Sequence, residues 1–319
     1  MKQIKALCLL VFAVSALLSS GCVADDLSEC GISVRFQYVK NVEGIDRFAT
    51  DIHKVTLFVF NGEGLYLGEY SEEGAPLRNA GYRMNVNLSP GAYRLVAWGN
   101  LGEEYGLPPM TVNETRIEDL VLSLRCTGNN VEEFPTHLFF GEEEIDVAGD
   151  GTRRADVVVG MMKNTNTVHV LIKGLPLEDR YTDGNGGITE EMPYGCTITS
   201  VNRHYKFDNT ITGNDRLTYI PRYSASLEGQ TLEAGFVTMR EPNDGSTGSR
   251  LVIHSRGTTL PPVLLDMNLT GLLLAASVTG NLDIDDEFDL EIIFDYTNGT
   301  ISTITINGWV ATEDDWVIG

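Results

Sequence analysis

Tyr82-Arg83-Met84-Asn85-Val86-Asn87-Leu88-Ser89-Pro90-Gly91-Ala92-Tyr93-Arg94-Leu95-Val96-Ala97-Trp98-Gly99 reads as two strands joined by a turn. Met84, Val86 and Leu88 alternate with Asn85 and Asn87, the period-two pattern of a strand with one buried face. Pro90 presets φ for a turn, and Gly91 accepts the positive φ that follows. Residues 93–98 then return as a second, more apolar strand, so the stretch predicts a β-hairpin. Outward from it, the same signals recur. Residues 32–39 alternate through Ile32, Val34, Phe36 and Tyr38, and 54–60 form a continuous apolar, β-branched run. Asn61-Gly62-Glu63-Gly64 turns that run into 65–70, and 117–124 and 138–147 supply two more strands. An irregular link is expected over 47–53. This density of short strands indicates a β-sandwich over residues 31–150.

Gly149-Asp150-Gly151-Thr152-Arg153-Arg154 is small and polar and reads as the domain boundary. Beyond it, strand signals appear at 155–162, 167–173, 196–202, 232–239, 250–255, 272–278, 288–296 and 300–310, with a long loop over 180–189. Residues 151–319 therefore predict a second sandwich, and Gly, Pro or β-branched residues interrupt every candidate helix. The fold class is all-β, with two tandem β-sandwich domains. The formal charge of −22 makes a surface that repels nucleic acid.

The N-terminus reads as an export signal. Lys2 and Lys5 precede an apolar run over 6–18 that is too short to span a bilayer. Ser19, Ser20 and Gly21 lead into Cys22, which fits cleavage after residue 21 and a diacylglycerol on the Cys22 thiol. Residues 1–21 are then signal peptide and 22–30 a lipidated polar tether. An ordinary secretory cut nearby is the competing reading. Two or three acyl chains would give stable anchoring where one would not. With Cys8 removed and Cys22 acylated, Cys30, Cys126 and Cys196 remain. A Cys30–Cys126 disulfide with Cys196 free, and three free thiols, are both consistent with that count.

Catalytic signatures are missing. There is no His-Glu-x-x-His, Gly-x-Ser-x-Gly or phosphate loop. The five histidines lie at least 32 residues apart. Asp183-Gly184-Asn185-Gly186-Gly187 breaks the EF-hand pattern at its fifth and sixth places, and the acidic run Asp283, Asp285, Asp286, Glu287 and Asp289 reads as a solvated turn. Trp98, Trp309 and Trp316 could stack on sugars, but the apolar flank of Trp98 favours a core position. The expectation is a non-enzyme with no cofactor or metal beyond covalent lipid.

Several of these segments together resemble the FimB-type fimbrial anchor lipoproteins, among the fimbrillin-associated anchor and accessory subunits. They are the tether from Cys22 through Asp25-Asp26-Leu27-Ser28-Glu29-Cys30, the strand Lys54-Val55-Thr56-Leu57-Phe58-Val59-Phe60, the stretch 88–99, the segment Asn164-Thr165-Asn166-Thr167-Val168-His169-Val170-Leu171-Ile172-Lys173-Gly174-Leu175, and Ile306-Asn307-Gly308-Trp309. The resemblance implies transthyretin-like sandwiches, attachment to the outer membrane through the lipid, and a place in cell-surface fimbriae. In that family stalk subunits are cut in an N-terminal strand, and a neighbour's C-terminal strand fills the opened groove. An anchor keeps its own strand and ends assembly. Arg47 and Arg153-Arg154 are candidate protease sites, the first expected to stay uncut in an anchor. Residues 300–319, with Ile301, Ile304, Ile306, Trp309, Val310, Trp316 and Ile318, either close the second domain or are donated to a stalk subunit; an internal edge strand is equally consistent. A stalk or tip role, a surface glycan-binding lipoprotein and a glycan-processing enzyme are the alternatives.

Overall fold

The computed structural model describes residues 31–148 and 154–311. The first half carries β1 (Ile32–Lys40), a helical turn α1 (Phe48–Asp51), β2 (Lys54–Asn61), β3 (Tyr66–Glu73), β4 (Met84–Val86), β5 (Gly91–Gly99), β6 (Tyr105–Gly106), β7 (Val121–Leu124), β8 (Asn130–Val131), β9 (Phe139–Val147) and β10 (Ala155–Lys163). The second carries β11 (Thr165–Lys173), β12 (Tyr194–Ser200), β13 (His204–Lys206), β14 (Ile211–Thr212), β15 (Leu217–Tyr219), β16 (Arg222–Ser226), β17 (Thr231–Met239), β18 (Arg250–Ser255) and β19 (Val263–Asn268). Helix α2 (Leu269–Ala276) and strands β20 (Glu287–Asp295), β21 (Thr300–Ile306) and β22 (Trp309–Ala311) complete it.

A seven-stranded sheet runs in the order β3-β2-β5-β9-β10-β1-β4. Ile32, Val34 and Phe36 of β1, Val86 of β4, Val55 and Leu57 of β2 and Leu95 of β5 share one core. Strands from both ends of the sheet meet there, so the sheet folds over on itself to make its own sandwich. The stretch 82–99 is accordingly not a hairpin. β4 pairs with β1, Val86 opposite Ile32, whereas β5 pairs with β2 and β9. The Pro90-Gly91 turn carries the chain across the core as an arch, and its two strands face each other through side chains.

β2 is buried on both faces, which is why its sequence is continuously apolar. Val55, Leu57 and Val59 enter the first core, while Phe58 and Phe60 enter a second one together with Val96 and Trp98. That second core extends through the rest of the chain. A six-stranded sheet, β16-β17-β11-β20-β21-β22, and a five-stranded sheet, β19-β18-β12-β15-β8, contribute to it. Val168, Val170 and Ile172 of β11 and Ile198 of β12 are among its buried residues.

The two halves also share strands. β8 pairs in parallel with β15, and β13 pairs with β7 in a four-stranded sheet, β14-β13-β7-β6. The first sheet continues past the division drawn at 150, because β10 lies between β1 and β9. Asn164 alone then separates β10 from β11. It is fully buried and forms a reciprocal amide pair with Asn209, at 2.5 and 2.9 Å.

Two local readings change. Residues 269–276, read in part as a strand, are helix α2, with Asn268 Oδ1 accepting from Gly271 N. Leu and Ala are strong helix formers, and a helix whose residues are apolar nearly all round shows no periodicity to distinguish it from a buried strand. Ile301 and Ile304 are out of phase for one face of a regular strand. A register shift opposite Ile293 and Phe294 makes Ser302 a β-bulge, so both isoleucines pack on the second core.

Candidate functional site

The N-terminal strand and the groove it occupies form the candidate site. β1 lies between β10, in parallel register from Ile32 opposite Ala155, and β4, in antiparallel register. Its alternate residues Ile32, Val34, Phe36 and Tyr38 are 0–3 % exposed. Phe36 stacks on Phe48 at 5.5 Å, and Tyr38 meets Phe139 edge-on at 5.0 Å. Burial, and secondarily the Asp286 charge, push the Tyr38 phenol well above its ordinary range, so it stays neutral. Burying four such side chains contributes roughly 6–12 kcal/mol before chain entropy is counted.

The chain leaving β1 is held just as closely. Asp46 Oδ1 accepts from Tyr38 N and Phe48 N at 3.0 and 3.1 Å. Arg47 N donates to Tyr38 O, and Arg47 O accepts from Thr50 N and Asp51 N. The Arg47 guanidinium grips Asp51 at 3.0 Å and Glu43 at 3.3 Å. Arg47 is thus folded into the start of α1, whereas a peptide in a strand-recognising cleft is extended. Of the other candidate protease site, Arg153 lies outside the described residues, and Arg154 Nη2 donates to Asn87 Oδ1 at 2.6 Å.

At the other end of the chain, Ile301, Ile304 and Ile306 lie in β21 and Trp309 and Val310 in β22, the last strand of the six-stranded sheet. β22 pairs with β21 through Ile306 opposite Trp309 and Ile304 opposite Ala311. Ile304 and Ile306 are fully buried and Val310 is 58 % exposed. Trp316, Ile318, Cys22 and Cys30 lie outside the described residues. Among the described residues Cys126 and Cys196 form no disulfide, and burial pushes the Cys196 thiol up.

The remaining candidates have local explanations. Trp98 is fully buried against Phe140 and offers no sugar platform. Asp183 Oδ1 accepts from Asn185 N and Gly187 N, closing its own loop. Asp283 pairs with Arg240 at 2.6 Å and Asp286 with Lys163 at 2.8 Å. Asp285 accepts from Ser277 Oγ and, at 2.9 Å, from Thr279 N. The acidic run therefore ties strands together more than it solvates a turn. Sequence reading missed buried Glu241, which accepts from Ser200, Asn202, Thr247 and Thr270. Only the small polar residues around it carried a signal, and their convergence requires the fold. Among the described residues, no three His, Cys, Asp or Glu side chains are grouped to hold a metal.

This architecture recurs in known proteins. The family of fimbrillin-A associated anchor proteins Mfa1 and Mfa2 matches residues 27–315. The minor fimbrium anchoring subunit Mfa2 of Porphyromonas gingivalis is 21 % identical over 304 residues, which are 90 % of this chain and 88 % of that protein. The structure of the Porphyromonas gingivalis fimbrial anchor protein Mfa2 superposes with a TM-score of 0.74 at 19 % identity, over 88 % of this chain and 98 % of that one. A Bacteroides thetaiotaomicron protein named as a polysaccharide-binding candidate superposes with a TM-score of 0.75 at 26 % identity, over 90 % of this chain and all of that one. With a match over nearly its whole length, the chain belongs to the fimbrillin-A associated anchor protein family.

Proposed function

We propose that the protein is the anchor of a fimbria, tethered to the outer membrane by lipid on Cys22, and that it ends assembly because its own N-terminal strand fills the groove a donor strand would need. The observation that carries this is β1, hydrogen-bonded on both edges with its alternate side chains buried. A strand added to a groove gains a main-chain ladder and side-chain pockets. Here both are already taken by a strand that begins at Ile32, ten residues after the lipidation site. The partner is then a stalk subunit joined by strand addition at another edge, with the 300–319 segment as the donor candidate. The acidic tether behind Cys22 and the net charge of −22 suit an exported surface protein.

The test is intact mass of protein extracted from membranes, with Cys22→Ala as control. A species beginning at Cys22 and carrying acyl chains supports the anchor. A lipid-free species beginning after Arg47 would make it a processed stalk or tip subunit instead.

A further inference from the structure

A cavity of about 370 Å³ lies where the loop after β1 meets the segment between α2 and β20. Its charge is lopsided: five lining residues are acidic and two are basic. Arg47 is engaged by Asp51 and Glu43, and Lys163 by Asp286. Asp285 has no ion pair of its own among the described residues. It is only 5 % exposed, and although its Oδ2 is occupied, its Oδ1 has no hydrogen-bond donor. Asn41 lines the same cavity; it is half-buried, but its Oδ1 is likewise buried and unpaired. Its Nδ2 holds Tyr38 O and Ile45 O, and its Oδ1 accepts from nothing. Leaving buried acceptors unpaired is costly, and two in one acidic cavity point to a donor supplied from outside.

The rim adds a second chemistry. Val42 and Val278 both line the cavity and are 58 % and 81 % exposed. A ligand with a cationic, multiply donating head and an apolar stem matches both features. Arginine has that shape: a planar guanidinium with five donors on a chain of methylenes. A divalent ion fits less well, since it asks for several carboxylate oxygens around one centre. Asp51 and Asp286 are already committed to Arg47 and Lys163, and the described residues hold no metal-type cluster.

We propose that this junction is a socket for an arginine side chain carried by a protein that docks across the two halves, with Asp285 and Asn41 accepting from the guanidinium and Val42 and Val278 flanking its stem. Asn307, in the β21–β22 turn, also lines the cavity, so a protein seated there lies beside the C-terminal strands. Naming that protein as a fimbrial subunit rests on the anchor reading; the socket itself does not.

The experiment follows the valine methyl resonances of the detergent-extracted full chain while an acetylated, amidated Gly-Arg-Gly peptide is added. The matching citrulline peptide, which is neutral and nearly isosteric, and calcium chloride are titrated separately. Saturable shifts at Val42 and Val278 with the arginine peptide alone are expected. Asp285→Asn should weaken them about tenfold or more. Because that change also touches the Ser277 and Thr279 contacts, Glu43→Lys on the exposed rim is the second variant, expected to weaken binding about fivefold. No saturable shift with arginine, an equal response to citrulline, a response to calcium in place of arginine, or unchanged affinity in Glu43→Lys overturns the socket. Any of these leaves the anchor reading intact, since that stands on the mass of the membrane-extracted species.

Discussion

Glu241 is 1 % exposed and forms no ion pair among the described residues. Its carboxylate is held by neutral donors instead: Ser200 Oγ at 3.0 Å, Asn202 Nδ2 at 3.2 Å, Thr247 Oγ1 at 2.6 Å and Thr270 Oγ1 at 3.1 Å. Glu241→Ala would strip the acceptor from four groups drawn from the end of β12, two loops and α2. At roughly 1–3 kcal/mol for each group that finds no substitute, a net loss of about 3–5 kcal/mol is expected. Glu241→Gln should cost about 1–2 kcal/mol, because hydroxyls can rotate to accept from the new amide. Urea unfolding of the two variants checks this; equal midpoints for Ala and Gln would sink the network argument. His137 offers a pH handle. Burial, reinforced by Lys163, lowers its pKa to about 4, and Thr165 Oγ1 is 2.9 Å from its Nδ1. The unfolded chain protonates this histidine near 6.5 and the folded chain does not until about 4. The stability it contributes is thus complete above pH 6.5 and drains away as pH falls to about 4. The loss is on the order of 2 kcal/mol, reduced from the full shift because the ring is only partly buried. In His137→Asn this part of the pH slope should vanish, read as the difference between the two proteins' stability at pH 7 and pH 4.5.

At the level of elements, β1 is both a structural strand and the guard of Arg47. Phe36 stacks on Phe48, the residue after Arg47, so the strand's side chains brace the turn that folds the arginine away. Phe36→Ala should cost about 3–5 kcal/mol. It should also speed trypsin cleavage at the bond after Arg47, which peptide mass mapping would locate. An unchanged cleavage rate at that bond would mean β1 does not protect it. β1 was legible because Ile32, Val34, Phe36 and Tyr38 alternate over a single buried face. β2 was legible for the opposite reason, since two cores claim its two faces. The 82–99 stretch misled because a Pro-Gly turn specifies a reversal of direction and nothing about which strands hydrogen-bond afterwards. Met84 and Leu95 point into one core from opposite walls, an outcome local chemistry does not distinguish from pairing. α2 misled because apolar residues on nearly every side erase the pattern that would announce a helix. At the candidate site, the strand itself was readable, whereas the junction cavity was not. Asn41, Val42, Val278 and Asp285 come from opposite ends of the chain and meet only after both halves have formed.

For the whole molecule, the two halves share a core and strand pairings. Phe58, Phe60, Val96 and Trp98 project from the first sheet into a core whose other members include Val168, Phe236, Phe288 and Ile306. β7 pairs on one edge with β13 from the second half, and β15 takes β8 from the first. Lys163–Asp286 and the Asn164–Asn209 pair fasten the point of crossing. A chain ending at residue 163 would keep its first core but expose Phe58, Phe60, Val96 and Trp98 to water. Four large side chains left exposed forfeit roughly 6–12 kcal/mol, which exceeds the lower range of a whole domain's stability. The expected result is one cooperative unfolding transition for the full described region, with near-ultraviolet circular dichroism and far-ultraviolet signals coinciding in urea. The 31–163 fragment should bind a hydrophobic dye and show no sharp transition. Two separated transitions in the intact chain, or a fragment with native-like tertiary signal, would show that the shared core is an interface between independent units. That distinction matters mechanically. On the proposed anchor reading, a tether entering at β1 and a partner held near β22 would transmit load through this core, and a single cooperative unit would resist that load with its full stability.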